Sequence, residues 1–125
     1  MKSHLAILLW AVDPSAPHLC ATPFFHAAAA AAMEVEVEVH FSGRSVLLLV
    51  PGTAATLYGD SDRVTSIYDH MRQATRFGAR LYACSDALEA HSVDRALLIP
   101  ELTGIAGSAA FVGRVLDAEW ATLVF

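Results

Sequence analysis

The chain has 125 residues, of which 55% are hydrophobic and only 17% are charged, whereas soluble proteins usually carry about 25% charged residues. This length fits a single domain over residues 1–125 and excludes a second domain of ordinary size. The 13 acidic and 8 basic residues leave a net charge of −5, which argues against a nucleic-acid partner because phosphate binding needs a positive surface. So few charges leave apolar surface uncovered, which predicts a homo-oligomer.

The chain shows no sign of a membrane segment despite its mean hydropathy of +0.46. Charges or turn residues interrupt every apolar run before the roughly 20 residues that a bilayer span requires. Lys2 and the apolar residues 5–12 imitate a secretory signal, but Asp13 ends the run and no suitable cleavage site follows. Cys20 and Cys84 form neither a disulfide framework nor a zinc half-site, which favours a reducing, cytoplasmic compartment.

The first third of the chain predicts a strand followed by a helix. Residues 4–12 form a continuous apolar run, which is typical of a parallel strand covered on both faces. Thr22 and Pro23 then provide a helix N-cap and a proline in the first turn. The six alanines at 27–32 are strong helix formers that allow a helix to lie close to a sheet.

Residues 34–41 predict a second strand, because polar and apolar side chains alternate strictly along it. The apolar positions share one face, and the opposite face is expected to be solvated or to lie at an oligomer rim. A cation site on this acidic face is the alternative interpretation. The apolar run 45–50 follows too closely for a helical crossover, so it predicts either a hairpin partner or a buried connector. The opposite face carries Glu34, Glu36, Glu38 and His40.

The rest of the chain continues the alternation of strands and helices. This order predicts a three-layer α/β/α fold with a mostly parallel sheet of about five strands. The predicted elements are a loop at 51–62, an amphipathic helix at 63–77 closed by Gly78, a strand at 79–84, a short helix at 87–90 capped by Ser85 and Asp86, a strand or connector at 97–100, a helix at 108–118 and a strand at 120–125.

Cys84 is the first candidate site residue. It ends a predicted strand just before a helix, at the edge of an α/β sheet where ligands bind, and the start of a helix stabilises a thiolate. The alternative is a buried structural cysteine. Cys20 follows the first strand and is a candidate second thiol, which would couple to Cys84 if their Cα atoms lay within about 7 Å.

Other chemistry receives little support from the residues. The stretch 104–108 would present backbone N–H groups to an anion, but it lacks a nucleotide-binding pattern. The histidines at 18, 26 and 91 are spaced too diffusely to predict a metal site, and nothing indicates a cofactor. No GxSxG motif is present, so hydrolase chemistry is not predicted.

Four segments together resemble the DsrE/DsrF-like family nearly end to end, and the strand that leads into Cys84 and Ser85 is the most specific of them. The resemblance implies a small α/β protein with a largely parallel five-stranded sheet, assembled as a trimer or hexamer. It also implies a role for Cys84, because several members carry sulfur as a persulfide on the cysteine that aligns with it. The segments are 22–26 (TPFFH), 35–41 with Gly43, 78–85 (GARLYACS) and 120–125.

Three functional hypotheses follow. In the first, the chain is a sulfur carrier or sulfurtransferase-like protein: Cys84 holds sulfane sulfur as a persulfide and passes it to a partner protein's thiol, while Ser85 and Asp86 supply a helix cap and backbone donors. In the second, Cys84 is incidental and the homo-oligomer is a binding or assembly module. In the third, Cys20 and Cys84 form a thiol redox pair. The sequence specifies neither the sulfur donor nor the acceptor.

Overall fold

The computed structural model describes all 125 residues, and five strands form its single sheet. Every neighbouring pair is parallel, with the order β4-β3-β2-β1-β5. The predicted α/β fold with about five strands is therefore confirmed, and the sheet is parallel throughout. The strands are β1 (His4–Leu9), β2 (Glu36–Phe41), β3 (Arg80–Ala83), β4 (Leu102–Ile105) and β5 (Trp120–Val124).

Four α-helices cover the two faces of this sheet: α1 (Thr22–Ala32), α2 (Ile67–Arg76), α3 (Ser85–Ala90) and α4 (Ser108–Val115). The steps from β1 to β4 all run in one direction across the sheet, so right-handed crossovers put α1, α2 and α3 on one face. The return step to β5 puts α4 on the other face, where Phe111 packs with Ala6 and Trp120. None of these helices is long and apolar enough to cross a membrane.

The main core lies between the sheet and the first three helices. Alternate residues of the inner strands point into it, and they are almost completely buried. The apolar run at 45–50 lies in a 3-10 helix, Gly43–Leu49, which buries Val46, Leu48 and Leu49. It is therefore a buried connector and not a hairpin partner. The inner-strand residues are Ile7, Leu9, Val37, Val39, Phe41, Leu81 and Ala83.

The starts of α1 and α2 differ from the sequence prediction. Ala21, and not Thr22, is the N-cap of α1. Helix α2 begins at Ile67, four residues later than expected, because the Ser66 hydroxyl caps it by accepting a hydrogen bond from the backbone N–H of Asp69 at 3.1 Å. Arg63, the predicted start, has a φ of +54°, which a right-handed helix does not allow.

Two strand positions also differ. Strand β2 begins at Glu36, because Glu34 has a φ of +64° where the chain leaves α1. Strand β4 is formed by Leu102–Ile105, and not by residues 97–100. It is a four-residue edge strand whose side chains are only partly buried, so its sequence lacks the continuous apolar pattern of an inner strand. Gly78 has a φ of +115° after α2, which is the left-handed conformation expected of the glycine that ends this helix.

Candidate functional site

A cavity of about 180 Å³ opens at the carboxyl edge of the sheet, beside α4. The ends of β1, β2 and β3 contribute to its wall, together with the segment that joins β4 to α4. Parallel α/β sheets bind ligands at this edge, so the cavity is the candidate functional site. Its lining consists of Leu8, His40, Phe41, Ser42, Cys84, Ala106, Gly107, Ser108, Phe111 and Val112.

Cys84 lies in the wall of this cavity, as a free and partly exposed thiol. It directly follows β3 and is itself the N-cap of α3. Its backbone N–H donates to the carbonyl oxygen of Phe41 at 2.9 Å, which fixes it beside the end of β2. The strand-to-helix junction that the sequence predicted thus brings the thiol to an accessible place at the sheet edge.

The beginning of α4 forms the opposite part of the wall. Gly107 is the N-cap, and no side chain caps the helix. The first N–H groups of a helix have no partner within it, and the positive end of its dipole favours a negative charge. The stretch 104–108, which the sequence predicted to present N–H groups to an anion, has two parts in the structure. Gly107 and Ser108 line the cavity, whereas Gly104 and Ile105 belong to β4.

Ser85 and Asp86 do not line the cavity. Both belong to the first turn of α3, and neither side chain caps the helix. The predicted capping role is therefore wrong, because the helix starts two residues earlier than expected and Cys84 occupies the N-cap position. Asp86 is exposed in the first turn, where its charge interacts favourably with the helix dipole.

Cys20 has a different environment from Cys84. Its side chain is fully buried, and its thiol donates to the carbonyl oxygens of Asp13 at 3.4 Å and Ala16 at 3.5 Å. Burial raises the pKa of Cys20 above its usual value, so the thiol stays protonated at neutral pH. Cys20 is not part of the cavity wall, and the two cysteines are not joined by a disulfide.

The acidic face of β2 is divided: Glu34 and Glu36 are exposed, as predicted, whereas Glu38 and His40 are buried, which corrects the expectation of a solvated or rim position for these two residues. Glu38 and His40 are only 3% and 4% exposed, because α4 covers them. Arg114 of α4 donates to both carboxylate oxygens of Glu38, from Nε at 3.1 Å and from Nη2 at 2.9 Å. Arg80 lies 3.5 Å from the same carboxylate.

Burial and hydrogen bonding determine the protonation states of Glu38 and His40. Burial by itself would raise the pKa of Glu38, but hydrogen bonds from Arg114 and His40 hold that pKa below its usual value. Burial lowers the pKa of His40, although the hydrogen bond to Glu38 opposes the shift. A carboxylate and a neutral imidazole therefore face each other at neutral pH, and His40 lines the cavity.

Sequence reasoning missed His40 as a site residue, although a signal was available. A strand inside a parallel sheet is covered on both faces, so polar residues that alternate along it are buried and need partners. No group of three or more His, Cys, Asp or Glu side chains is arranged to hold a metal ion.

These features define a class of protein: a small α/β domain with five parallel strands and a cysteine thiol in a cavity at their carboxyl edge. The profile of the DsrE/DsrF-like family matches residues 7–125, and the chain belongs to this family. The search of curated proteins found no match.

Two solved structures have the same fold. The crystal structure of the YchN protein from E. coli shares 14% sequence identity and superposes with a TM-score of 0.76, covering 100% of both chains. A protein of unknown function from Methanobacterium thermoautotrophicum, MTH1491, shares 18% identity with a TM-score of 0.68, covering 99% of this chain and 100% of its own. At these identities the likeness shows the fold alone.

Proposed function

We propose that this protein is a sulfur carrier, in which Cys84 accepts sulfane sulfur, holds it as a persulfide and passes it to the thiol of a partner protein. The observation that carries the proposal is the position of Cys84, a partly exposed free thiol in a cavity at the carboxyl edge of the sheet. Membership of the DsrE/DsrF-like family supports a role related to sulfur relay.

The proposed chemistry is two thiol exchange steps without net oxidation. In the first step, the Cys84 thiolate attacks the outer sulfur of a donor persulfide R–S–SH. A new S–S bond forms on Cys84, the donor's S–S bond breaks, and R–S⁻ leaves. In the second step, the thiolate of an acceptor attacks the outer sulfur on Cys84, which releases the Cys84 thiolate and leaves the persulfide on the acceptor.

The cavity suits this cargo in size and polarity. Its volume of about 180 Å³ is several times the roughly 30 Å³ that a water molecule occupies in the liquid, so it has room for the outer sulfur and for an incoming thiol. Leu8, Phe111 and Val112 supply apolar surface that suits a polarisable sulfur atom. The beginning of α4 favours the negative charge of a thiolate or persulfide anion.

The environment of Cys20 favours a single-cysteine carrier over a two-cysteine redox protein. A redox pair needs both thiols within reach of each other and of a partner. Cys20 is fully buried, hydrogen-bonded and outside the cavity, which suits a structural role. Free thiols at both positions suit a reducing compartment such as the cytoplasm.

We include self-assembly, as a homotrimer or homohexamer, in the proposal. Large apolar side chains remain exposed on the single chain, among them Trp10 at 63% and Leu116 at 81%. Leu116 is the C-cap of α4, and Val112 and Val115 in the last turn of this helix are exposed as well. Apolar surface of this kind marks interaction sites in soluble proteins.

The test is sulfur loading. Wild type, Cys84→Ser and Cys20→Ser are incubated with a polysulfide donor, and intact mass is read for a gain of one sulfur atom that dithiothreitol removes. We expect wild type and Cys20→Ser to load and Cys84→Ser to remain unmodified. Equal loading of Cys84→Ser would reject the carrier and leave the binding module. Loss of loading only in the double variant would favour the redox pair.

A further inference from the structure

His40 carries a buried nitrogen atom without a partner. Its Nε2 lies 3.0 Å from Glu38 Oε1, and its Nδ1 has no hydrogen-bond partner although it is buried. Because an ionised carboxylate only accepts hydrogen bonds, Nε2 must carry the hydrogen. In the neutral imidazole, Nδ1 is then a free lone pair, and so His40 holds an unused base in the interior.

Other side chains enclose the imidazole ring of His40, so a hydrogen-bond partner for Nδ1 would have to enter through the cavity. The Tyr82 ring stacks on the imidazole with centroids 5.5 Å apart, and Phe111 packs edge-on at 5.6 Å. Glu38, held by Arg114, occupies the Nε2 side. Leu8 lies beside His40 on the neighbouring strand β1, and the cavity that both residues line together with Cys84 is open next to the ring.

The free lone pair of Nδ1 has an energetic cost. A buried polar atom without a hydrogen bond destabilises a protein, because it has lost its contact with water and gained none in return. His70 has an unpaired Nδ1 as well, but the unpaired atom of His40 belongs to a cavity wall, where a ligand or a reacting group can complete it. A histidine held by a carboxylate and a cysteine line this one cavity, and these are residue types that activate nucleophiles in proteins. No hydrogen bond joins Nδ1 to the thiol, and catalytic contacts of this kind often form only when substrate is bound.

We propose that His40 is the proton acceptor and donor for the thiols that react in this cavity, and that Glu38 and Arg114 are the residues that position it. The inference rests on the proposed function, since it assigns a residue to the sulfur exchange at Cys84. The imidazole takes the proton of the Cys84 thiol, and the carboxylate of Glu38 stabilises the imidazolium that forms. The thiolate attacks the outer sulfur of R–S–SH and the S–S bond of the donor breaks. The leaving R–S⁻ takes the proton from His40 and departs as R–SH. The balance is Cys84–SH plus R–S–SH giving Cys84–S–SH plus R–SH.

The first test measures the alkylation rate of Cys84 by iodoacetamide between pH 5 and 9, in wild type and in His40→Gln. The glutamine amide can still donate to Glu38, but it has no acceptor at the Nδ1 position. His70→Gln is the matched control, because His70 also has a buried, unpartnered Nδ1 and a pKa lowered by burial but packs against Phe25 outside the cavity.

We expect wild type and His70→Gln to share one pH profile with an inflection from the imidazole. His40→Gln should lose that inflection and react about tenfold or more slowly at neutral pH. Superimposable profiles for His40→Gln and wild type would overturn the inference. If His40→Gln does not fold, nitrogen NMR of histidine-labelled wild type decides: we expect the Nε2–H tautomer and a shift of Nδ1 when Cys84 is alkylated, and an Nδ1–H tautomer or an unchanged ring would overturn the inference.

Sulfur loading separates this inference from the proposed function. If wild type and His40→Gln load polysulfide sulfur equally fast at every pH, the role of His40 is rejected and the carrier stands. If wild type does not load sulfur at all, the carrier is rejected, and the alkylation profile still decides whether His40 handles the proton of Cys84.

Discussion

Arg114 and Glu38 are 76 residues apart in the chain and form a two-point contact, with Nε 3.1 Å from Oε1 and Nη2 2.9 Å from Oε2. The contact ties α4 to the middle strand of the sheet. It also orients the carboxylate that accepts a hydrogen bond from His40. The ion pair therefore connects α4, through Glu38, to His40 in the wall of the cavity.

Removal of Arg114 should destabilise the protein. We expect Arg114→Ala to lower the free energy of unfolding by about 2–3 kcal/mol, because it leaves the buried Glu38 carboxylate with weaker partners. Urea denaturation measures the change. The double variant Glu38→Leu/Arg114→Leu should recover part of the loss, since it removes the buried carboxylate that would otherwise lack its main partner. Equal stability of Arg114→Ala and wild type would show that the pair contributes nothing.

Stability should decrease on acidification from pH 7. Both His40 and Glu38 have folded pKa values below their ordinary values of 6.5 and 4.5. Below pH 6.5 His40 binds a proton in the unfolded chain more readily than in the folded chain, so the free energy of unfolding decreases. Below pH 4.5 Glu38 adds to the loss in the same direction, until the pH reaches its folded pKa.

Urea denaturation at several pH values checks this dependence. His70 contributes in the same upper window because burial lowers its pKa too. We therefore expect His40→Gln to remove part of the decrease between pH 7 and 5.5, and His40→Gln/His70→Gln to remove more of it. An unfolding free energy of wild type that stays constant over this range would contradict the buried neutral state of both histidines.

The two thiols should differ sharply in reactivity. We expect one equivalent of iodoacetamide to react with the native protein, at Cys84, because Cys20 is fully buried and its raised pKa keeps it protonated. Peptide mass mapping identifies the site, and two equivalents should react in denaturant. Native labelling of Cys20 at a comparable rate would mean that its surroundings open readily.

Glu34→Gly should stabilise the protein by about 1 kcal/mol. Glu34 has a φ of +64° just after α1 and is exposed, and a residue with a side chain pays roughly 1–2 kcal/mol in this conformation. Chemical denaturation measures the gain. Glu36→Gly is the control, because Glu36 lies at an exposed position of β2, where glycine should destabilise. A loss of stability in both variants would show that the Glu34 side chain makes a contribution of its own.

The protein should be larger than a monomer in solution. The exposed apolar side chains at the end of α4 and at its C-cap lead us to expect a trimer or hexamer; they are Val112, Val115 and Leu116. Light scattering coupled to size-exclusion chromatography gives the mass. Leu116→Glu should weaken the assembly if this surface is the contact. A monomeric mass of wild type at micromolar concentration would contradict the prediction.

The sequence by itself determined four of the five strands, the four helices and the position of Cys84 at a strand-to-helix junction. Local patterns suffice for these features, because apolar runs such as 4–12 are typical of buried parallel strands and Gly78 supplies the left-handed conformation after α2. The weak edge strand β4 was missed, since its partly exposed side chains leave no such pattern.

Only the tertiary structure decided the chemistry around Cys84. Whether the polar face of β2 meets water or protein depends on where the chain places α4, and α4 comes about 70 residues later in the sequence. Once that helix covers the strand, Glu38 must pair with Arg114, and His40 becomes a neutral base beside the cavity. Alternation reports which side chains share a face, but burial of that face is a property of its neighbours in space.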